Sequence, residues 1–257
     1  MLSISKINKE IVQVSPEIIL FDKDGTLIDI HHYWSNMLRL RSKMIIAQWF
    51  SSNINKIKIE EELLESMGLD IQTEKIKPSG PVGIKPRKYI VNVASEVVRS
   101  KGVRIENSKI EEVFNYVDRA TSKEMASLLK PLPGVFNLLK NLADSNIPMA
   151  VVSTDITSRT RLAMKTLKID HFFSEIIGSD LVKNSKPFPD LAIQVSKKTG
   201  IKREKMMVIG DNPVDIKMGL SANIKLNLAV LTGLSNIHSF KKLNCMIINN
   251  LNSIEVK

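Results

Sequence analysis

Three short apolar runs along the chain each end in a polar residue. They are Glu17–Asp22, Pro148–Ser153 and Lys205–Asp211. The apolar residues within each run are continuous rather than alternating, which is typical of strands that are buried on both faces. We therefore predict that these runs are strands of one parallel sheet. Two further runs, Leu226–Leu231 and Met246–Ile248, are predicted to extend the same sheet.

Amphipathic segments of helical length separate these runs. The predicted helices are Val135–Asp144, Ile156–Leu167 and Asp190–Thr199, and Gly200 stands where a glycine commonly ends a helix. An alternation of strand and helix favours right-handed crossovers between parallel strands. The predicted fold class is therefore α/β, with a Rossmann-like, doubly wound parallel sheet as its core.

The region from residue 31 to residue 130 breaks this alternation. Its pattern predicts four helices, namely Trp34–Phe50, Lys58–Met67, Tyr89–Ser100 and Ser108–Leu129. The stretch Lys77–Arg87 is rich in proline and glycine, so it is predicted to be a loop. We therefore expect an α/β core made of residues 1–30 and 131–257, with a mostly helical domain, residues 31–130, inserted after the first strand. The segment before Glu17 is expected to be an edge strand or an arm.

The composition is that of an ordinary globular protein. The chain has 257 residues, 43% of them hydrophobic, and its mean hydropathy is −0.03. A single cysteine, Cys245, cannot form an intrachain disulfide. The first ten residues lack the apolar stretch of a signal peptide, and no later stretch reaches the length of a membrane span. The expectation is a soluble, cytoplasmic protein that does not bind membranes.

The net charge of +10 raises the possibility of a nucleic-acid partner. Basic residues are, however, interleaved with acidic ones, as in 56–65 and 101–112, and no RNA-binding or zinc-finger motif is present. We therefore expect no nucleic-acid partner. A small anionic substrate suits the same charge.

Polar residues end the three predicted strands at the edge where open parallel sheets bind their ligands. Asp22, Ser153 and Asp211 should meet there, although they are far apart in the sequence.

Two carboxylates about 4 Å apart, such as those of Asp22 and Asp211, repel each other by roughly 4 kcal/mol at an effective dielectric constant near 20. Mg²⁺ prefers oxygen ligands and would relieve this repulsion. Zinc is disfavoured because cysteines and paired histidines are missing from these motifs. An EF-hand calcium loop is also disfavoured, because such a loop needs glycine at its sixth position and, counted from Asp22, Gly25 is the fourth.

Four motifs in this order resemble those of the haloacid dehalogenase superfamily. They are Asp22-x-Asp24-Gly25-Thr26 after the first strand, Ser153 after the second, the Lys186-Pro187 pair, and Gly210-Asp211-x-x-x-Asp215 after a later strand. The resemblance covers nearly the whole chain. The nearest match is the phosphoglycolate-phosphatase-like branch, in which a helical cap also follows the first motif directly.

The resemblance implies a phosphatase that works through an aspartyl-phosphate intermediate. Asp22 resembles the nucleophile, and Asp24 resembles the residue that protonates the leaving oxygen and then activates water. Asp24 argues for phosphoryl chemistry, because the dehalogenase branch lacks a carboxylate at that position. Ser153 would bind the transferring phosphoryl group, and Lys186 would neutralise the charge on that group and on the nucleophile.

The same resemblance implies the metal ligands and the substrate contacts. Mg²⁺ would be held by the Asp22 carboxylate, the Asp24 main-chain carbonyl and Asp211, with Asp215 nearby. Phosphate or substrate contacts are expected from three residues of the strand-end loops: Gly25, Thr26 and Thr154. In the inserted domain, Lys85 and Arg87 are candidates to bind a second anionic group of the substrate.

Several alternatives stay open on the sequence alone. Ser153, Thr154 or Asp155 would also suit the cap of the following helix, and Asp215 would also suit a helix N-terminus. Lys85 and Arg87 would also fit a solvated basic loop.

The preferred function is Mg²⁺-dependent hydrolysis of a small phosphate monoester. The alternatives are a phosphomutase, a phosphonate hydrolase, or a non-catalytic relative that binds metal or phosphate. The substrate, and the choice between a monomer and a homodimer, stay open.

Overall fold

The computed structural model describes residues 1–257, and the chain divides into two compact units. The first consists of residues 1–29 and 130–257, and the second of residues 30–129. The strands are β1 (Leu2–Ser5), β2 (Ile11–Val14), β3 (Ile18–Phe21), β4 (Leu69–Asp70), β5 (Lys75–Ile76), β6 (Met149–Val152), β7 (Glu175–Ile177), β8 (Met206–Gly210), β9 (Leu226–Val230), β10 (Met246–Ile248) and β11 (Ile254–Val256). The α-helices are α1 (Ile30–Trp49), α2 (Lys56–Met67), α3 (Arg87–Ser100), α4 (Asn107–Ala120), α5 (Met125–Leu128), α6 (Val135–Asp144), α7 (Thr157–Thr166), α8 (Asp190–Thr199) and α9 (Pro213–Ser221).

A six-stranded parallel sheet forms the core of the first unit. Its strand order is β10-β9-β8-β3-β6-β7, and every neighbouring pair is parallel. The central strands β3, β6 and β8 are buried along their whole length. This burial explains why their sequences are continuously apolar. The predicted α/β fold class with a parallel, Rossmann-like sheet is confirmed.

Five of the six strands coincide with the predicted runs, whereas β7 was missed. Its three residues, Glu175–Ile177, pair only with β6 at the edge of the sheet. A run this short gives almost no periodic signal. Of the helices in this unit, α6 and α8 have the predicted bounds, and α7 is one residue shorter at each end.

The N-terminal segment forms a separate small sheet instead of an edge strand of the main sheet or a free arm. β1 pairs with β2 and with β11 in antiparallel fashion, in the order β11-β1-β2. Leu2 and Ile4 are fully buried, and Ile254 of β11 is also buried. Burial of these apolar residues explains why the segment is tied to the C-terminal end of the chain.

The second unit is mostly helical, with a two-stranded antiparallel sheet formed by β4 and β5. The predicted single helix Ser108–Leu129 is wrong, because α4 ends at Ala120 and α5 begins at Met125. The hydroxyl of Thr121 donates a 2.7 Å hydrogen bond to the Val117 carbonyl, and the backbone turns there. None of the helices combines the length and the apolar composition that a membrane-spanning segment requires.

Candidate active site

Three polar residues follow three neighbouring strands of the parallel sheet. Asp22 comes directly after β3, Ser153 after β6 and Asp211 after β8, and β3 lies between the other two strands. All three side chains are buried. Because the strands are parallel, their carboxyl ends lie at one edge of the sheet. The structure therefore brings the polar ends of three motifs together, as their strand positions predicted.

An acidic cluster with one lysine occupies this edge. Asp22, Asp211 and Asp215 each offer a carboxylate oxygen, and these oxygens lie within 4.8 Å of one another. The Nζ atom of Lys186 lies 2.5 Å from Oδ1 of Asp22 and 2.7 Å from Oδ1 of Asp215. The Lys186 side chain is fully buried. A single ammonium group is thus held between two of the three carboxylates.

The electrostatics of the cluster shift three pKa values. Burial, opposed by Lys186 and reinforced by Asp215, raises the pKa of Asp22 to about 6. Burial, followed by the charges of Asp22 and Asp215, raises the pKa of Asp211 well above its ordinary value. For Lys186, burial lowers the pKa, but Asp215 and Asp22 outweigh it, so the pKa lies above its ordinary value. Three carboxylates facing one lysine leave an excess of negative charge.

This donor set fits a hard divalent cation. The three side chains offer only oxygen atoms, which are the ligands that Mg²⁺ and Ca²⁺ prefer. A cation among them would also offset the repulsion that raises the carboxyl pKa values. Cys245 lies outside the cluster, and no histidine belongs to it, so the set does not suit a zinc site.

The loop after β9 orients Asp211 and was missed in the sequence. The backbone N–H of Leu234 donates a 3.1 Å hydrogen bond to Oδ2 of Asp211, and a Cβ atom at Gly233 would overlap the Asp211 carboxylate. The Thr232 hydroxyl donates a 2.7 Å hydrogen bond to the Gly25 carbonyl. The position of this loop at the carboxyl end of a predicted parallel strand was the signal that would have identified it.

Gly25 is required by the geometry of the first loop. Its φ angle is +90°, in the left-handed region that favours glycine, and a Cβ atom would overlap the Asp211 carboxylate. Thr26, the next residue, is fully buried. The backbone N–H of Gly25 donates to the Ile28 carbonyl at 2.7 Å, which closes the loop. The motif therefore lies close against the acidic cluster.

Asp215 makes two contacts in the structure, one at the start of α9 and one with Lys186. The helix N-terminus interpretation is confirmed, and a role of Asp215 beside the metal stays a prediction. Its Oδ2 atom accepts a 3.0 Å hydrogen bond from the Asn212 backbone, while the Asn212 side chain accepts from the Val214 backbone at 3.2 Å. These reciprocal bonds form a capping box at the start of α9. The other carboxylate oxygen of Asp215, Oδ1, contacts Lys186.

Ser153 does not cap the helix that follows β6. The Ser153 hydroxyl oxygen accepts a 3.1 Å hydrogen bond from the Asp155 backbone, and α7 begins only at Thr157. Instead, Oδ1 of Asp180 accepts hydrogen bonds from the backbone and hydroxyl groups of Thr157, both at 2.7 Å. The cap interpretation is therefore wrong for Ser153, whereas Oδ1 of Asp155 accepts from the backbone N–H of Ile156, directly before α7. Thr154, between them, is half-buried.

A buried lysine links the first and second motifs. Lys23 Nζ lies 3.0 Å from Oδ2 of Asp24 and 2.9 Å from Oδ2 of Asp155, and the Lys23 side chain is fully buried. Oδ1 of Asp155 accepts a 2.8 Å hydrogen bond from the Ile156 backbone. Burial raises the pKa of Asp155, but the charges of Lys23 and Arg159, together with the hydrogen bonds from Lys23 and the Ile156 backbone, outweigh this effect, so the pKa lies below its ordinary value. Lys23 belongs to none of the sequence motifs described above, apart from filling the variable position between Asp22 and Asp24.

The two basic candidates of the helical unit differ in their surroundings. Arg87 begins α3, its side chain is 12% exposed, and its guanidinium forms ion pairs with Glu111 and Asp118 of α4. The solvated-loop interpretation is therefore wrong for Arg87, which is committed to contacts inside the helical unit. Lys85 is exposed, and its Nζ atom lies 5.7 Å from the centre of the Tyr89 ring. A substrate contact by either residue stays a prediction.

Comparison with known proteins gives the family of the chain. The profile of the haloacid dehalogenase-like hydrolases matches residues 19–229. The pyrophosphatase PpaX of Oceanobacillus iheyensis is 26% identical over 213 residues, which cover 82% of each chain. The phosphoglycolate phosphatase of Aquifex aeolicus is 25% identical over 83% of this chain and 84% of its own. The PpaX of Halalkalibacterium halodurans is 29% identical, but over only 48% of this chain and 57% of its own.

Solved structures share the fold. A predicted phosphoglycolate phosphatase from Haemophilus somnus superposes with a TM-score of 0.66 at 17% identity, covering 93% of this chain and 96% of that one. CbbY from Rhodobacter sphaeroides, solved in complex with phosphate, has a TM-score of 0.63 at 16% identity and covers 92% and 95% of the two chains. The profile match spans most of the chain and includes all four motifs. The resemblance in the sequence is therefore confirmed, and the chain belongs to the family of haloacid dehalogenase-like hydrolases.

Proposed function

We propose that this hydrolase is a Mg²⁺-dependent phosphatase that cleaves a small phosphate monoester through an aspartyl phosphate formed on Asp22. The observation that carries the proposal is the buried contact between Asp22 and Lys186 beside two further carboxylates. A carboxylate held against an ammonium group is oriented to attack, and the same ammonium can neutralise the charge of an incoming phosphoryl group. The curated relatives named above support the same reaction class.

The proposed reaction has two steps, the formation of the aspartyl phosphate and its hydrolysis. In the first, a carboxylate oxygen of Asp22 forms a bond to phosphorus, the bond from phosphorus to the ester oxygen breaks, and Asp24 gives its proton to that oxygen. In the second, Asp24 takes a proton from water, the water oxygen attacks phosphorus, and the bond to Asp22 breaks to release phosphate. Lys186 and Ser153 would hold the phosphoryl oxygens in both steps.

Mg²⁺ fits the acidic cluster and would be held by the Asp22 carboxylate, the Asp24 carbonyl and Asp211, with Asp215 nearby. When bound, it supplies positive charge that neutralises the phosphoryl group and the carboxylates around it. Gly25, Thr26 and the Thr154 backbone are proposed phosphate contacts. Each of these residues lies in a loop at a strand end or directly beside the acidic cluster.

The substrate is proposed to be a small phosphorylated anion. The net charge of +10 favours anionic ligands, and the names of the relatives point to pyrophosphate and phosphoglycolate as the first compounds to test. The role of residues 30–129 as a cap, the cytoplasmic location, and the choice between a monomer and a homodimer stay predictions.

The test is release of inorganic phosphate by the purified protein with Mg²⁺ or with EDTA. The substrates are pyrophosphate, phosphoglycolate and an aryl phosphate. We expect Mg²⁺-dependent hydrolysis that Asp22→Asn abolishes, because the amide keeps the shape of the carboxylate but is not a nucleophile. Asp24→Asn should lower the rate by about 10²–10⁴-fold, the usual contribution of general acid–base catalysis.

The matched control is Asp144→Asn. Asp144 is exposed at the end of α6, so its amide variant should keep full activity. Survival of more than a few per cent of the activity in Asp22→Asn would contradict the covalent mechanism. Equal hydrolysis in Mg²⁺ and in EDTA would contradict the metal dependence.

A further inference from the structure

Lys23 is a buried cation that the proposed reaction does not use. It lies between Asp22 and Asp24 in the loop that follows β3, and its side chain has no exposed surface. Burying an ammonium group is costly unless charged partners compensate it. Its partners are the carboxylates of Asp24, at 3.0 Å, and Asp155, at 2.9 Å.

Asp155 is the fixed end of this arrangement. One of its carboxylate oxygens accepts from the Ile156 backbone, its own backbone N–H donates to the Ser153 hydroxyl, and its second oxygen accepts from Lys23. A carboxylate with partners on both oxygens has little freedom to rotate. Lys23 is therefore held on one side by Asp155, in the loop that follows β6. On its other side Lys23 contacts the Asp24 carboxylate and can fix its position.

We infer that Lys23 is a positioning residue that fixes the orientation of the Asp24 carboxylate by anchoring it to Asp155. The inference rests on the proposed function, because it concerns the proton donor of that reaction. The ion pair between Lys23 and Asp155 also joins the first motif to the loop that carries Ser153. The same contact therefore fixes the position of the proton donor, Asp24, relative to the Ser153 hydroxyl. A misplacement of about 1 Å in a catalytic group can cost about 10²-fold in rate.

The test compares two substrates that differ in their need for the proton. An alkyl phosphate has a poor leaving group, which must be protonated as its bond to phosphorus breaks. A dinitrophenyl phosphate has a leaving group that departs as a stable anion. The quantity measured is kcat/KM, because it reports the steps up to formation of the aspartyl phosphate and loss of the leaving group.

Lys23→Met keeps an unbranched apolar side chain and removes the charge. We expect this variant to lower kcat/KM for the alkyl ester by about 10- to 100-fold and for the dinitrophenyl ester by less than about threefold. In an Asp24→Asn background, Lys23→Met should have no further effect on the alkyl ester, because the group that it positions no longer carries a proton. Lys205→Met, at an exposed lysine paired with Glu17, is the matched control and should change neither ester.

Asp155→Asn tests the anchor separately and replaces the lysine variant if Lys23→Met does not fold. It should also reduce turnover of the alkyl ester selectively. An equal loss on both esters, or a full additional loss in the Asp24→Asn background, would overturn the inference and leave Lys23 with a purely structural role. If the wild-type protein hydrolyses neither ester and Asp22→Asn behaves identically, the proposed function itself has failed, and the inference about Lys23 fails with it.

Discussion

The charge of Asp22 is expected to destabilise the metal-free protein at neutral pH. Burial, reinforced by Asp215 and opposed by Lys186, raises the pKa of this carboxyl from 3.8 to about 6. A carboxyl whose pKa is higher in the folded state stabilises that state fully only below pH 3.8, and the contribution is lost as the pH rises through about 6. The difference between these pKa values corresponds to about 3 kcal/mol in the free energy of unfolding.

Asp22→Asn removes this pH-dependent loss, because an amide is neutral at every pH. In EDTA at pH 8 we expect the variant to be more stable than the wild type by about 3 kcal/mol, which corresponds to a Tm difference of about 6–12 °C for a protein of this size. The advantage should shrink as the pH falls from about 6 towards about 4. Circular dichroism during thermal and urea unfolding, at several pH values in EDTA, measures both quantities.

Mg²⁺ should offset most of this difference in stability. Binding to the folded wild type at a concentration 100 times the Kd adds about 2.7 kcal/mol, whereas Asp22→Asn has lost one of the proposed ligands and should gain less. Asp144→Asn is again the matched control, since its exposed carboxyl should leave the pH dependence unchanged. The reasoning is refuted if Asp22→Asn is less stable than the wild type at pH 8 in EDTA, or if its advantage does not change with pH.

Two further predictions concern the packing around the site and inside the helical unit. Gly233→Ala places a Cβ atom against the Asp211 carboxylate. The Mg²⁺ concentration needed for half-maximal hydrolysis should therefore rise at least about tenfold. An unchanged Mg²⁺ dependence would contradict the assignment of Asp211 as a ligand. Arg87→Met removes the ion pair with Asp118 and should lower the free energy of unfolding by about 2 kcal/mol. Lys85→Met, at an exposed lysine nearby, is the control and should change the free energy of unfolding little. Urea unfolding measures both variants, and equal effects would contradict the prediction.

Much of the parallel sheet, and the convergence of three candidate site residues at one edge of it, could be predicted from the sequence. Strands buried on both faces need continuous apolar runs, and the runs ending at Asp22, Ser153 and Asp211 carry this signal within a few residues. The rule that ligands bind at the carboxyl ends of parallel strands then brings these residues together without knowledge of the coordinates. Helix bounds such as those of α6 and α8 were also predictable, because local patterning and capping residues determine them.

Elements with weak local signals escaped prediction. The strands β1, β2 and β11 have three or four residues each, and their pairing joins the two ends of the chain. The end of α4 was missed for a related reason, because apolar residues continue past Thr121 and the turn there is formed by hydrogen bonds back into the helix. In both cases the deciding contacts are not visible in the hydrophobic pattern.

The fold class, the family motifs and the residues proposed for the chemistry can all be read from the amino-acid sequence, because short patterns of residue type encode all three. How those residues are held depends on tertiary contacts. The contact of Lys23 with Asp155 joins positions 132 residues apart, and the hydrogen bond from Leu234 to Asp211 crosses between the loops of two strands. Such contacts depend on how loops from separate strands pack against one another, and the local sequence carries no record of that packing.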